Sequence, residues 1–163
     1  MQTLIVYYSL EGNTKYAAEQ AAALLHADLL ELQPVKAYPS GKVSKFFWGG
    51  KSAVMAEKPD LQPYSFDPSA YDRIIFASPV WASNFAPPLR TFIRDNDLSG
   101  KRIAAIACQG GNGAEKAFAK MKDALGIATL EAELVLIDPK ARPNEENAQK
   151  LRAFCERLQQ SEF

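Results

Sequence analysis

The sequence predicts a single α/β domain spanning residues 1–163: a three-layer, doubly wound sandwich built on a five-stranded parallel sheet. Three observations point to it. Short apolar runs rich in β-formers alternate with longer segments whose apolar residues recur at helical spacing. Those runs are nearly continuous rather than alternating, the pattern of strands covered on both faces. The length of 163 residues, 47% of them hydrophobic, suits one domain with a substantial core.

The elements follow in order. Thr3 to Tyr8 reads as a doubly buried strand, ended by the polar turn Ser9-Leu10-Glu11-Gly12-Asn13-Thr14. A helix follows, with Ala17, Ala21, Leu24 and Leu25 on its apolar face. Ala27 to Leu32 is a more polar strand, as a sheet edge would be. Residues 33–70 are irregular, punctuated by Pro34, Pro39, Pro59, Pro63 and Pro68. They read as an insertion packed over the domain, because a linker would not carry Phe46-Phe47-Trp48. Val43 to Trp48 reads as a short helix ending near Gly49. Arg73 to Ala77 is the third strand, followed by the turn 78–86; Pro87-Pro88 opens a helix whose face is Leu89, Phe92 and Ile93. Ile103 to Ala107 is the fourth strand, and Cys108-Gln109-Gly110-Gly111-Asn112-Gly113 its turn. Ala117, Phe118, Met121 and Leu125 mark a helix that Gly126 ends. Thr129 to Ile137 is the fifth strand, and Ala148, Leu151, Cys155 and Leu158 mark the last helix.

Composition excludes several classes of function. Nineteen basic residues balance nineteen acidic ones, so no basic stripe draws nucleic acid or an anionic membrane. Two cysteines are too few for a disulfide scaffold. The start lacks a secretory pattern, and no apolar run approaches the ~20 residues of a membrane span, which leads us to expect a cytoplasmic domain. His26 is the sole histidine, so a histidine-based metal site or a Ser-His-Asp triad has little support. Cys108, at a strand end with no basic neighbour, reads as an inert buried thiol.

In a parallel sheet, ligands bind beyond the carboxyl ends of the strands, near the switch in strand order. The turns 9–15, 78–86 and 108–114 occupy three such ends. The first supplies hydroxyls from Ser9 and Thr14, an amide from Asn13, and Gly12 for close backbone approach. It runs directly into a helix whose unpaired N–H groups and dipole favour an anion, which makes it a phosphate cradle of neutral donors. It is neither a P-loop nor G-x-G-x-x-G. The same residues also suit a plain helix cap by Asn13 or Thr14.

Ser9-Leu10-Glu11-Gly12-Asn13-Thr14 resembles the flavodoxin phosphate loop S/T-x-T-G-N-T; Ser78-Pro79-Val80-Trp81 and Cys108-Gln109-Gly110-Gly111 resemble that family's second and third flavin loops. The resemblance covers nearly the whole chain. It implies the strand order 2-1-3-4-5 and non-covalent FMN. By it, Ser9, Leu10, Glu11, Gly12, Asn13 and Thr14 form the phosphate loop, with Lys15 nearby. Pro79, Val80, Trp81 and Ala82 line the isoalloxazine ring, Asn84 and Phe85 close that edge, and Gln109, Gly110 and Gly111 meet the pyrimidine edge. Three departures stand out. Glu11 replaces a threonine and is expected to face solvent. Ala82 replaces a glycine and should resist positive φ. Gly113 or a neighbour stands where a second stacking tyrosine is common.

The resemblance implies an electron carrier that docks on a redox partner protein. Few acids in the loops favour an alternative, an NAD(P)H-dependent oxidoreductase passing reducing equivalents through FMN to a quinone or similar small acceptor. A flavodoxin-shaped module that binds proteins without cofactor is a third reading. A signalling receiver needs aspartates at strand ends that here carry Tyr8-Ser9 and Ala77-Ser78.

Overall fold

The computed structural model describes residues 1–38 and 57–162. Parallel strands β1 (Thr3–Tyr7), β2 (Asp28–Glu31), β3 (Arg73–Trp81), β5 (Arg102–Gln109) and β6 (Glu133–Ile137) form the sheet, in the order β2-β1-β3-β5-β6. This is the expected order once the two-residue antiparallel strand β4 (Asn84–Phe85), paired to β3, is set aside. The helices are α1 (Asn13–Leu25), α2 (Pro87–Asp95), α3 (Ala114–Leu125) and α4 (Glu145–Gln160).

Alternation along β1 shows how the layers form. Ile5 and Tyr7 join a core with α1 and α4, while Leu4 and Val6 join a second core with α2 and α3. The central strand β1 therefore buries every side chain, and β3 does so from Arg73 to Ser78. On α1 the buried face is Thr14, Ala17, Ala18, Ala21 and Ala22. These small residues let the helix lie close to the sheet. Leu24, expected on that face, is instead 42% exposed, because the helix turns it outward toward α4.

Strand boundaries depart from the sequence reading. β3 runs on through Ser78-Pro79-Val80-Trp81, so the expected second loop is the arm of a hairpin. Residues 129–132 lie outside β6, although Glu131 N–H still bonds the Ile103 carbonyl at 2.7 Å. The expected helix Val43 to Trp48 and its aromatic segment fall outside the described residues. The described flanks of 33–70 do pack on the domain. Pro34 bridges Leu61, Thr91 of α2 donates to the Pro59 carbonyl at 2.7 Å, and the rings of Tyr64 and Phe66 each make a tilted contact with Phe92. No described helix is long and apolar enough to cross a membrane.

At the amino end of β3, opposite the loops of interest, the Arg73 guanidinium is fully buried. It donates to both Glu131 oxygens at 2.8 Å, to Glu162 at 3.0 Å, to the Leu158 carbonyl and to Ser161 Oγ. A buried charge needs this degree of satisfaction. The cluster ties the end of α4 to the bottom of the sheet.

Candidate functional site

The switch in strand order lies between β1 and β3: β2 sits on one side of β1, and the rest of the sheet on the other. The turns leaving β1, β3 and β5 converge above it around a cleft of about 780 Å³. That volume lies within the ~300–1,000 Å³ of small-molecule sites. The sequence candidates Ser9, Leu10, Glu11, Asn13, Thr14, Pro79, Val80, Trp81, Ala82, Gln109, Gly110 and Gly111 all line it.

In the first turn, Gly12 takes φ 101° and no side chain caps α1. The plain helix cap by Asn13 or Thr14, the alternative that these residues also suit, is therefore absent: the left-handed Gly12 is itself the N-cap. Ser9 Oγ accepts from Gly12 N–H at 3.1 Å and holds the turn closed. Thr14 is buried, and its hydroxyl meets the Cys108 thiol of β5. Burial pushes that thiol up to about 12, a rise that the Thr14 bond only partly offsets. Cys108 is thus a neutral group on the lining of the cleft. Glu11 is exposed, as expected.

Asn13 does something the sequence reading missed. Its Oδ1 accepts from the backbone N–H of Lys140 at 3.0 Å and of Ala141 at 3.1 Å. It thereby latches the loop between β6 and α4 to the first turn.

The second turn is the β3–β4 hairpin, with Val80 opposite Phe85 and Trp81 opposite Asn84. Ala82 (φ 49°) and Ser83 (φ 60°) form its tip. The expectation that Ala82 resists positive φ is overturned. A two-residue hairpin needs positive φ at both central residues to match the twist of its strands. Asn84 and Phe85 do not line the cleft, contrary to expectation: both are buried, at 3% and 1% exposure. There Arg90 lies over the Phe85 ring, 4.4 Å from its centre, and donates to Asn84 Oδ1. Ser78 Oγ accepts from Ala86 N–H at 2.8 Å, closing the base of the hairpin. On the wall, Trp81, Tyr8 and Tyr38 pack edge to face, with ring centres 5.2–5.8 Å apart. Burial and the neighbouring Tyr38 push the Tyr8 hydroxyl well above the usual phenol range.

In the third turn, Gln109 Oε1 accepts from Ala114 N–H at 3.0 Å and anchors the start of α3. Gly113 (φ 102°) explains the missing tyrosine. A Cβ there would lie 2.9 Å from Ser83 Oγ and 3.0 Å from Ser83 Cα, so the hairpin tip fills that space. Cys108, Asn112 and Asp138 also line the cleft and were not among the sequence candidates. Asp138 (φ 40°) follows β6 as the other turns follow their strands, a position that could have flagged it. It pairs with Arg142, whose Nε lies 3.1 Å from its carboxylate. Gly12 is not among the residues that line the cleft, and it lies against Lys140: a Cβ on Gly12 would sit 3.0 Å from the Lys140 Nζ.

A smaller hollow of about 250 Å³ lies between α1 and α4. Its Asn144 caps α4 and its Asn147 bonds the β6 backbone at Ile137, so those amides are already committed. No group of three or more metal-ligating side chains occurs among the described residues.

The sequence model of the flavodoxin family matches residues 2–150. The chain belongs to the flavodoxin family. No curated protein matches this flavodoxin. Among solved structures it resembles a protein of Bacteroides eggerthii assigned as a flavoprotein, with a TM-score of 0.73 at 21% identity, covering 95% of this chain and 96% of that one. It also resembles a flavoprotein of Lactobacillus acidophilus solved in complex with FMN, with a TM-score of 0.72 at 21% identity over 85% of this chain and 93% of that one. The Streptococcus pneumonia TIGR4 flavodoxin has a TM-score of 0.61 at 19% identity, covering 99% of both chains. At these identities the likeness to the three structures is one of fold.

Proposed function

We propose that this flavodoxin binds FMN in the cleft between its three turns and serves as an electron-transfer protein. The observation that carries the reading is the donor set at the first turn. It is neutral, glycine-centred and set at the start of α1, in a cleft whose wall carries an aromatic face. A phosphate suits the N-terminus of a helix whose first N–H groups lack intrahelical partners. A planar heteroaromatic ring suits a wall made by Trp81 and the flat backbone of Gly110 and Gly111. The residues present therefore fit FMN. Ser9 and Gly12 would fix the shape of the turn around the phosphate, Thr14 would offer its hydroxyl, and Pro79 to Ala82 with Gln109 to Gly111 would border the ring. When bound, FMN supplies the redox chemistry. The protein's part is to fix its orientation, exclude water from its inner face and set the charge around it.

The known relative with FMN supports this reading, as does membership of the family. The test is direct. Purified protein should be yellow, and heating should release one flavin per chain with the chromatographic mobility of FMN. Colourless protein that fails to quench added FMN fluorescence would refute the reading and favour a cofactor-free binding module. An NAD(P)H-dependent oxidoreductase remains the second reading, favoured by the small charge of the cleft: of the two acids that line it, Glu11 is exposed to solvent and Asp138 is paired with Arg142. Rapid bleaching of the flavin by NADH or NADPH alone, in a single wave, would select the oxidoreductase. Inertness to both, with two separated waves under dithionite, would select the carrier.

A further inference from the structure

We propose that Asp138 is a specificity residue for the hydroxylated chain that joins the phosphate of FMN to its ring, accepting a hydroxyl on the carboxylate oxygen that the fold leaves free. The role rests on the FMN reading and falls to a residue outside the three turns, on the loop that follows β6. Asp138 lines the cleft, with its side chain 26% exposed. Arg142 donates to its Oδ2 from both Nε and Nη2. Its Oδ1 accepts from no described residue. An ionised oxygen on a cleft wall bonds water until a ligand brings a donor of its own.

The path of the loop places that oxygen along the cleft. Asp138 N–H donates to the Gln109 carbonyl of the third turn at 3.1 Å. Just beyond, the N–H groups of Lys140 and Ala141 donate to Asn13 of the first turn. The loop therefore crosses from the turn that would border the ring to the turn that would hold the phosphate. On one side the Asp138 carboxylate packs over Gly110, 3.6 and 3.7 Å from where a Cβ on that glycine would be. On the other side stands Cys108, whose thiol is raised by burial and, against the Thr14 bond, by the Asp138 charge. Asp138 thus lies between Gly110 and the Cys108–Thr14 contact. The chemistry of FMN then selects its partner. Phosphate oxygens and ring carbonyls repel a carboxylate, whereas the hydroxyls of the intervening chain donate to it. Pairing with Arg142 offsets the charge of Asp138, so the cleft gains an acceptor at little cost to a dianionic phosphate.

The test pairs a change in the protein with a change in the flavin. Apoprotein of the full chain is titrated, by flavin fluorescence, with FMN and with an analogue whose ring and phosphate are joined by an unbranched alkyl chain without hydroxyls. Unmodified protein should bind FMN about tenfold or more tightly than the analogue, the size of a bond to a charged group. Asp138→Gly suits the φ of 40° at this position and removes the acceptor. It should weaken FMN binding about tenfold or more and leave the analogue unaffected, so that the preference disappears. Asp138→Asn keeps an acceptor oxygen and also tolerates a left-handed backbone, and should retain part of the preference. Equal losses for both flavins in Asp138→Gly would overturn the proposal, since a residue that only shapes the loop would give them. So would a preference that survives in Asp138→Gly, or one lost as fully in Asp138→Asn, which would assign it to the pairing with Arg142. Equal affinity of the unmodified protein for the two flavins would overturn it as well. Apoprotein that binds neither flavin would refute the FMN reading itself, a result read without any variant.

Discussion

Thr14 is the residue where burial and chemistry meet most closely. It is 1% exposed, borders the cleft and touches a thiol that burial keeps protonated. Thr14→Ala removes a hydroxyl that borders the cleft. We expect it to weaken FMN binding by roughly ten- to hundredfold, corresponding to ~1.5–3 kcal/mol for a bond to a charged group. Fluorescence titration of apoprotein checks this, with Thr14→Ser expected to keep most of the affinity. Cys108 itself should be slow to alkylate in the native protein at pH 8. Its thiol lies at about 12, so little thiolate forms, and it is 5% exposed. Mass spectrometry after iodoacetamide treatment should show modification only once denaturant is added.

The hairpin is the element on which the site depends most. Its tip places two non-glycine residues, Ala82 and Ser83, in the left-handed region. Such conformers cost of order 1–3 kcal/mol each and persist where surroundings demand them. Here the demand comes from strand twist and from Gly113, which lets Ser83 lie against the start of α3. Gly113→Ala meets a φ of 102° and a clash with Ser83 at once. It should destabilise the fold by about 2 kcal/mol or more and shift the hairpin off the cleft. A lower thermal midpoint together with weaker FMN binding would show both effects. Ala82→Gly should act in the opposite direction, raising stability by up to about 1 kcal/mol, since relief of strain exceeds the entropy of glycine. Urea unfolding of the two variants measures the contrast.

Across the whole molecule, the two ends of the sheet are built for different tasks. The carboxyl end carries the cleft; the amino end carries the Arg73 cluster, with no ligand-sized lining residue in common. Arg73→Met strands the carboxylates of Glu131 and Glu162 in a half-buried site and should cost about 3–5 kcal/mol. The pH dependence has a definite sign. Burial would raise the Glu131 carboxyl, but the bonds from Arg73 and Ser161 outweigh it and hold the group below the usual carboxylate range. Its folded pKa is therefore lower than its unfolded one. The stabilisation is present above the unfolded value of ~4.3 and is lost as pH falls through the folded one. Glu131→Gln should be less stable than the unmodified protein at pH 7, and the gap should shrink below about pH 4. Denaturant unfolding at both pH values measures it.

What the residues reveal on their own is what depends on near neighbours. The order of strands and helices was legible because apolar spacing and turn residues act within one element. The turns at 9–15, 78–86 and 108–114 were legible because glycine and small polar residues follow each apolar run. Even so, the second of these turned out to be a hairpin arm, because whether Val80 and Trp81 pair with Phe85 and Asn84 is settled by where α2 and α3 let the chain return. Tertiary structure alone decided the rest of the site. Asn13 reaches the Lys140 backbone across 127 positions of sequence, and Arg73 reaches Glu131 across 58. No local pattern encodes such pairs. An asparagine in a turn reads as a cap and an arginine at a strand end reads as a surface charge. Only when parallel pairing stacks the strand ends at one edge do the loop after β1 and the loop after β6 become neighbours. Hydrogen-bonding groups that must then be buried take the partners that packing brings to them.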